Sequence, residues 1–242
     1  MTKRFLCLLS FAFFTTSLLQ AQSFAWGVRG GLLVGLQKWE GFQRDPLLKY
    51  SGNVFIESVP EGNAFALFAQ AGLHLKGSAI RNQRFFFPNG DEYRPPTTEF
   101  IFRNVSVVLG AKQKFDFGLN GKKYYSFGLR GDYTVSTNLD DYKTPSNPAP
   151  FTFPDNFFVR KFNYGVSVGG GLEFPLSELI GAVVDLSLNP DVSFQYQQPA
   201  LGNVVSPSNP GQTISIPERK IVNVTLELSV GFRFLRIVEY ID

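Results

Sequence analysis

The first stretch with a recognisable chemical pattern is glycine-rich: GVSVGGG, at residues 165–171. A loop of this composition can hold a phosphate on its backbone N–H groups, but that arrangement needs a helix directly after the glycines. Here the chain continues as Leu172-Glu173-Phe174-Pro175, which alternates in polarity and then reaches a proline. We therefore predict a β-strand whose glycines make room for other side chains.

Ionisable side chains form the second pattern, because many of them fall at every second position of otherwise apolar stretches. His74 is the only histidine, and spacing pairs it with no nucleophile or carboxylate, which argues against general acid–base catalysis. Asp91-Glu92 and Asp140-Asp141 lack the spacing of calcium ligands. We predict no enzyme activity, no cofactor and no metal site. The alternating set comprises Arg29, His74, Lys76, Lys112, Lys114, Arg130, Asp132, Glu173, Asp185, Glu227 and Arg233.

The N-terminus has the order of an export signal: basic Lys3 and Arg4, an apolar run to Leu19, then small Ala21 and Ser23. The alternative is a membrane anchor, but the run is short for a bilayer-spanning helix. We predict a cleaved signal peptide over residues 1–22 and one mature domain over 23–242. Cys7, the only cysteine, lies in the signal, so the mature domain has no thiol chemistry. The net charge of +3 is too small to indicate a nucleic-acid partner.

Period-two alternation dominates the mature domain and predicts an all-β fold. Connections after the second, fourth and sixth strands are short, and the other four are longer. An up-and-down barrel with turns at one end and long loops at the other is typical of the bacterial outer membrane, with the turns in the periplasm. The predicted strands cover residues 25–38, 47–59, 63–81, 100–115, 123–137, 160–174, 181–197 and 218–235.

Each strand separates into an apolar and a polar face, and the polar face is predicted to point inward. Glycines concentrate on the polar face, where a narrow eight-stranded interior needs space for charged side chains. The apolar face carries hardly a charge, as lipid contact requires, and aromatic residues gather near strand ends. The alternative is a soluble barrel of the lipocalin type, with the apolar face inside. Phe55 breaks the alternation of the second strand.

The alternating charges are therefore expected to fill the lumen as a network of ion pairs, since a buried charge needs a partner. Glu173 is expected to pair with Arg29 or Arg233 from neighbouring polar faces. An alternative role for the network is a path for protons or small ions, or a switch. A general porin is disfavoured, because eight strands leave no aqueous channel.

Two predicted outer loops are rich in aromatic residues, and such clusters mark contact surfaces when they are exposed. We predict a protein partner at these extracellular loops; the alternative is that the aromatics pack on one another as a cap. The candidate contact residues are Phe85, Phe86, Phe87, Tyr93, Arg94, Phe151, Phe153, Phe157 and Phe158.

Four segments resemble the outer-membrane β-barrel family of Bacteroidota that includes the PorT-like proteins: QAQ at 20–22, FAWGVRGGLLVG at 24–35, FALFAQAGLHLKGSAIR at 65–81 and VTLELSVGFRF at 224–234. The resemblance implies an outer-membrane location and an accessory role in a secretion machinery (type IX for PorT itself), and it carries over no catalytic residue. Many membrane barrels end on an aromatic residue, whereas here RIVEYID follows Phe234, so the assembly signal is internal or supplied by Tyr240.

The sequence thus predicts an eight-stranded antiparallel up-and-down transmembrane β-barrel surrounded by outer-membrane lipid. Its predicted function is structural or interactive, exerted through the extracellular loops, as an accessory subunit of a secretion or surface-assembly complex. The alternatives are a narrow transport barrel, a barrel that binds a small ligand and, more remotely, a lipid-modifying enzyme.

Overall fold

The computed structural model describes residues 23–39, 44–59, 65–81, 84–86, 89–94, 96–118, 121–142, 154–205, 209 and 211–236. The predicted signal peptide lies outside the described residues, as do Phe87, Phe151, Phe153 and Tyr240. Eight long strands make up the fold: β1 (Phe24–Trp39), β2 (Asp45–Ser58), β3 (Ala66–Ile80), β4 (Thr98–Phe117), β5 (Gly121–Thr137), β6 (Phe162–Pro175), β7 (Ile180–Pro190) and β8 (Arg219–Arg236).

The eight strands form a closed antiparallel barrel in up-and-down order. Each strand pairs with its neighbour in sequence, and β8 pairs with β1 from Phe24 opposite Arg236 to Trp39 opposite Ile221. Closure leaves the ring without a free edge, which satisfies the backbone groups that lipid cannot. Glycine allows a close approach at this seam: a Cβ on Gly31 would lie 2.1 Å from the carbonyl oxygen of Leu228. The predicted fold class is confirmed.

The predicted strand bounds differ from the observed ones mainly in the seventh strand. The prediction extended it to residue 197, but β7 ends at Pro190, which has no N–H to donate to a ladder. The following residues turn into the barrel mouth, and a short strand, Tyr196–Gln198, pairs with the start of β8.

The connections alternate in length with one exception. The turns after β2, β4 and β6 are short, and the loops after β3, β5 and β7 are long. The loop after β1 was predicted to be long, and this was wrong: only residues 40–44 separate β1 from β2, because both strands continue beyond the predicted ends. The long loops contain two small hairpins, Phe85–Phe86 with Glu92–Tyr93 and Leu201–Val205 with Thr213–Ile216.

The outer surface of the strands is apolar and the interior is polar, the reverse of a water-soluble barrel, so the chain forms a transmembrane barrel. Serine, asparagine, threonine and charged side chains fill the inside, and most are buried. No helix of the described part of the chain is long and apolar enough to cross a membrane. The exposed outward side chains include Trp26, Val28, Leu32, Leu36, Tyr50, Val54, Ile56, Leu67, Leu73, Val105, Val107, Leu109, Phe127, Leu129, Val135, Val168, Leu186, Leu188, Leu226, Leu228, Val230 and Phe232.

Phe55, which interrupts the alternation of β2, points into the lumen with the polar residues. Its ring is buried together with Tyr124 and Val183. The guanidinium carbon of Arg29 lies 4.8 Å from the ring centroid and the Lys112 ammonium 5.1 Å. The ring therefore lines the space between these cations and contributes cation–π contacts to them.

Candidate functional site

The central lumen holds equal numbers of basic and acidic side chains among the residues that the structure describes. Because their formal charges cancel, the interior of the barrel can be filled without a net charge in the membrane. Six are cations and six are carboxylates: Arg29, Lys76, Lys112, Lys114, Arg130 and Arg233 face Glu57, Asp132, Glu173, Asp185, Asp191 and Glu227.

Glu57 is the centre of a lower cluster, near the short-turn end. Lys112 Nζ lies 2.8 Å from Glu57 Oε2, while Lys114 Nζ and Arg233 Nε lie 2.7 Å and 2.6 Å from Oε1. Lys114 also reaches Glu173 at 2.8 Å. One buried carboxylate therefore holds two cations from β4 and one from β8.

Arg29 of β1 pairs across β8 with Asp185 of β7. Its Nη1 lies 3.0 Å from Asp185 Oδ2, and its Nε donates to Asn53 at 3.2 Å. The Tyr124 hydroxyl donates to the same Asp185 at 2.6 Å. Glu173 was expected to pair with Arg29 or Arg233: Arg233 Nε approaches it at 3.9 Å, whereas Arg29 is committed to Asp185.

An upper cluster lies toward the long-loop end and contains two cations and two carboxylates. Lys76 Nζ lies 2.5 Å from Asp132 Oδ2 and 2.9 Å from Asp191 Oδ1. Arg130 contacts the same two carboxylates, with its Nε 3.0 Å from Asp132 Oδ2. Asn223 donates to Asp191 at 2.8 Å. All four charged side chains are inaccessible to solvent or nearly so, so each depends on the others.

His74 and Glu227 lie between the two clusters. His74 Nε2 is 3.7 Å from Glu227 Oε2, and Glu227 accepts a hydrogen bond from the Ser51 hydroxyl at 2.6 Å. Neither ring nitrogen of the buried His74 has a hydrogen-bond partner in the described structure. Ser51 therefore contacts the carboxylate rather than the imidazole, and the three side chains do not form the hydrogen-bonded chain that a nucleophilic triad needs.

An apolar layer closes the lumen on the long-loop side of the upper cluster. Trp39, Phe100, Phe102, Leu139, Tyr196 and Ile221 are all buried in it. The guanidinium carbon of Arg44 lies 3.9 Å from the Trp39 ring centroid and 4.6 Å from that of Phe100. Burial and then the charge of Arg219 lower the pKa of Arg44 to about 10, so its cation persists at neutral pH. The layer separates the ion pairs from the loops.

The loop residues named as contact candidates take different positions. Phe158 packs beside Tyr196 against the apolar layer, with ring centroids 6.1 Å apart, as the cap alternative expects. Phe157 is 85 % exposed and Phe86 is 70 % exposed. Tyr93 is also exposed, and Arg94 Nε lies 2.7 Å from Glu92. Phe85 belongs to the same hairpin as Phe86, and its side chain lies outside the described part of the structure.

Two members of the charge network, Glu57 and Asp191, were not predicted from the alternating pattern. Glu57 shares its parity with Ser51 and Asn53, so the alternation of β2 contained a signal that Phe55 obscured. Asp191 follows Pro190 beyond the end of β7, where alternation no longer applies. Nothing in its local sequence indicates that it turns inward.

No family model and no curated protein matches the chain. Among solved structures, Neisserial surface protein A is similar over 87% of this chain and 96% of its own, with 14% identity and a TM-score of 0.48. The outer membrane protein OprG from Pseudomonas aeruginosa is similar over 90% and 98%, with 11% identity and a TM-score of 0.48. The outer membrane protease OmpT from Escherichia coli is similar over 88% and 97%, with 9% identity and a TM-score of 0.43.

Proposed function

We propose that this protein is an integral outer-membrane β-barrel whose lumen is closed to solutes and whose function is exerted by its extracellular loops. The observation that carries the proposal is the filled lumen beneath an apolar layer. The six cations pair with five of the six carboxylates, and the sixth, Glu227, lies between His74 and Ser51. A barrel without an open channel has only its two ends and its lipid-facing wall with which to act.

The orientation follows from the lengths of the connections. Outer-membrane barrels place short turns in the periplasm and long loops outside the cell. We assign the ends of β2, β4 and β6 to the periplasm on this basis, and the predicted signal peptide supplies the export that this location requires. The long loops and their two hairpins then face the exterior.

Exposed apolar side chains at the outer end support an interaction role. Phe86, Phe157 and Tyr93 belong to loops, where lipid does not account for their exposure as it does on the strands. The hairpin Leu201–Val205 with Thr213–Ile216 exposes Val205 and Ile214 as well. A partner protein that buries these side chains would remove apolar area from water. We assign the protein as a structural or accessory subunit of a secretion or surface-assembly complex, consistent with its resemblance to PorT-like barrels.

Photo-crosslinking in intact cells tests this role. With a photoreactive residue at Phe86 or Phe157, we expect discrete crosslinks to a protein, because both side chains project into the exterior. The matched control is the same residue at Leu109, an exposed side chain on the lipid-facing wall of β4, where only lipid adducts are expected. Absence of a protein adduct at both loop positions would contradict the interaction role and leave the barrel only a structural one.

A further inference from the structure

A small cavity opens at the short-turn end of the barrel, where the ends of β5 to β8 meet. Its volume is about 120 Å³. Charged and apolar side chains share its wall: Lys122, Glu173, Glu178, Leu179, Arg233 and Leu235. Both signs of charge therefore face one small space at the membrane boundary.

The two cations of this cavity, Arg233 and Lys122, have N–H groups that no described residue accepts. Arg233 approaches Glu57 and Glu173 through Nε alone, which leaves its two terminal nitrogens without a bond to any described residue. Lys122 is exposed and forms no ion pair within the described part of the chain. Guanidinium and ammonium donors that face one small cavity are suited to a phosphate.

The two carboxylates of the cavity, Glu173 and Glu178, have oxygens that can accept further hydrogen bonds. Glu173 is buried, with only 7% of its surface exposed. Its Oε2 accepts a hydrogen bond from Lys114, whereas its Oε1 has no hydrogen-bond partner among the described residues. Glu178 lies in the β6–β7 turn and is exposed. A buried carboxylate oxygen without a donor is costly, so Glu173 indicates a ligand that carries a hydrogen-bond donor, and a cationic donor is favoured by the negative charge.

The rim of the cavity also has an apolar side. Phe174, Leu179 and Ile180 are exposed there and continue the lipid-facing surface of β6 and β7 down to the turn. A ligand with a polar group in the cavity can therefore place an acyl chain against the outer wall of the barrel without crossing a polar surface.

We propose that this cavity binds the headgroup of phosphatidylethanolamine, with the phosphate held by Arg233 and Lys122 and the ammonium held by Glu173 and Glu178. The assignment rests on the proposed placement of the short-turn end at the periplasmic face of the membrane. Phosphatidylglycerol offers the two carboxylates only neutral hydroxyl donors and no positive charge. The methylated ammonium of phosphatidylcholine carries the charge but cannot donate a hydrogen bond, so only phosphatidylethanolamine supplies a charged donor.

The test is native mass spectrometry of the full-length folded barrel in detergent, titrated with the three phospholipids carrying identical acyl chains. We expect phosphatidylethanolamine to bind about tenfold more tightly than the other two, the value of one charge-assisted hydrogen bond. Lys122→Gln is expected to weaken it about fivefold, as for a partly exposed charge contact. Lys123→Gln is the matched control, because this neighbouring lysine does not line the cavity, and it should bind like wild type.

Equal affinity for the three lipids would contradict the proposed site. An equal loss of phosphatidylethanolamine affinity in Lys122→Gln and Lys123→Gln would contradict it as well. Soluble glycerophosphoethanolamine binding as tightly as the lipid would overturn the assignment to a membrane lipid. Heat-dependent migration on SDS gels monitors the folded barrel separately. Failure of lipid selection in a protein that still shows this migration would therefore count against the cavity and leave the proposed function untouched.

Discussion

Glu57→Gln is expected to lower the free energy of unfolding by about 3–5 kcal/mol, as when one partner of a buried ion pair is removed. The substitution keeps the shape of the side chain but removes the charge on which Lys112, Lys114 and Arg233 converge. Three neighbouring cations then repel one another in a site with little access to water. Urea unfolding of the barrel in detergent, followed by tryptophan fluorescence, measures the change.

Glu92→Gln is the matched control for this experiment. Glu92 also pairs with an arginine, Arg94, at 2.7 Å, but both side chains lie in an exposed loop hairpin. Exposed ion pairs contribute about 0–1 kcal/mol, so the control should unfold close to wild type. Equal effects of the two substitutions would show that Glu57 is not the centre of a buried network.

Arg130→Ala is expected to turn a closed barrel into one with measurable conductance in planar bilayers. The substitution removes the largest side chain of the upper cluster and leaves Asp132 and Asp191 with Lys76 as their remaining cation. Water can enter the vacated polar space, and the excess carboxylate favours cations over anions. Wild type is expected to show no stable current steps.

Arg94→Ala provides the comparison for conductance, because Arg94 lies in the outer hairpin away from the lumen. It should remain as closed as wild type. Stable current steps in wild type would refute the closed lumen, and they would favour the alternative of a narrow transport path. A closed Arg130→Ala barrel that is still folded would contradict a gating role of the upper cluster and would mean that the apolar layer and the lower cluster are sufficient to close the lumen.

Alternation was sufficient to predict the eight strands and their two faces. In β8, Val224, Leu226 and Leu228 alternate with Thr225, Glu227 and Ser229. The choice of the polar face as the inner one needed further observations: the glycines on the polar face and the near absence of charge on the apolar face. A register shift by one residue would place Glu227 in lipid, so the pattern also restricts the pairing. The fold could therefore be predicted from the sequence, because every strand must place apolar side chains toward lipid and polar side chains toward the lumen.

The ion-pair partners of the luminal side chains could not be predicted in the same way. Alternation places Arg29 and Glu173 in the same space but does not say at which height along the barrel each lies. Height depends on the strand registers, which place Glu173 opposite Lys122 and bring Asp185 level with Gly171. Asp191 enters the lumen only because the chain bends inward after Pro190, and this follows from tertiary contacts.

The loops were the least predictable part, since no periodicity constrains them. Phe157 and Phe158 are adjacent in sequence, yet one is exposed and the other packs against the apolar layer. The hairpin Leu201–Val205 with Thr213–Ile216 was not anticipated. Its sequence contains Gly202 and Asn203, and Asn203 has a positive φ of 57°, a backbone conformation that asparagine tolerates.

The central claim, an apolar outer wall in lipid around a charged lumen, is tested most directly by spin labels on single cysteines introduced into the predicted mature domain, which has no cysteine of its own. Leu109, Val230 and Val205 are exposed to similar extents, at 61%, 60% and 63%. In liposomes, labels at Leu109 and Val230 should be accessible to oxygen and protected from a nickel chelate, and a label at Val205 in the outer hairpin should show the reverse. Access of the nickel chelate to all three labels would contradict the membrane barrel.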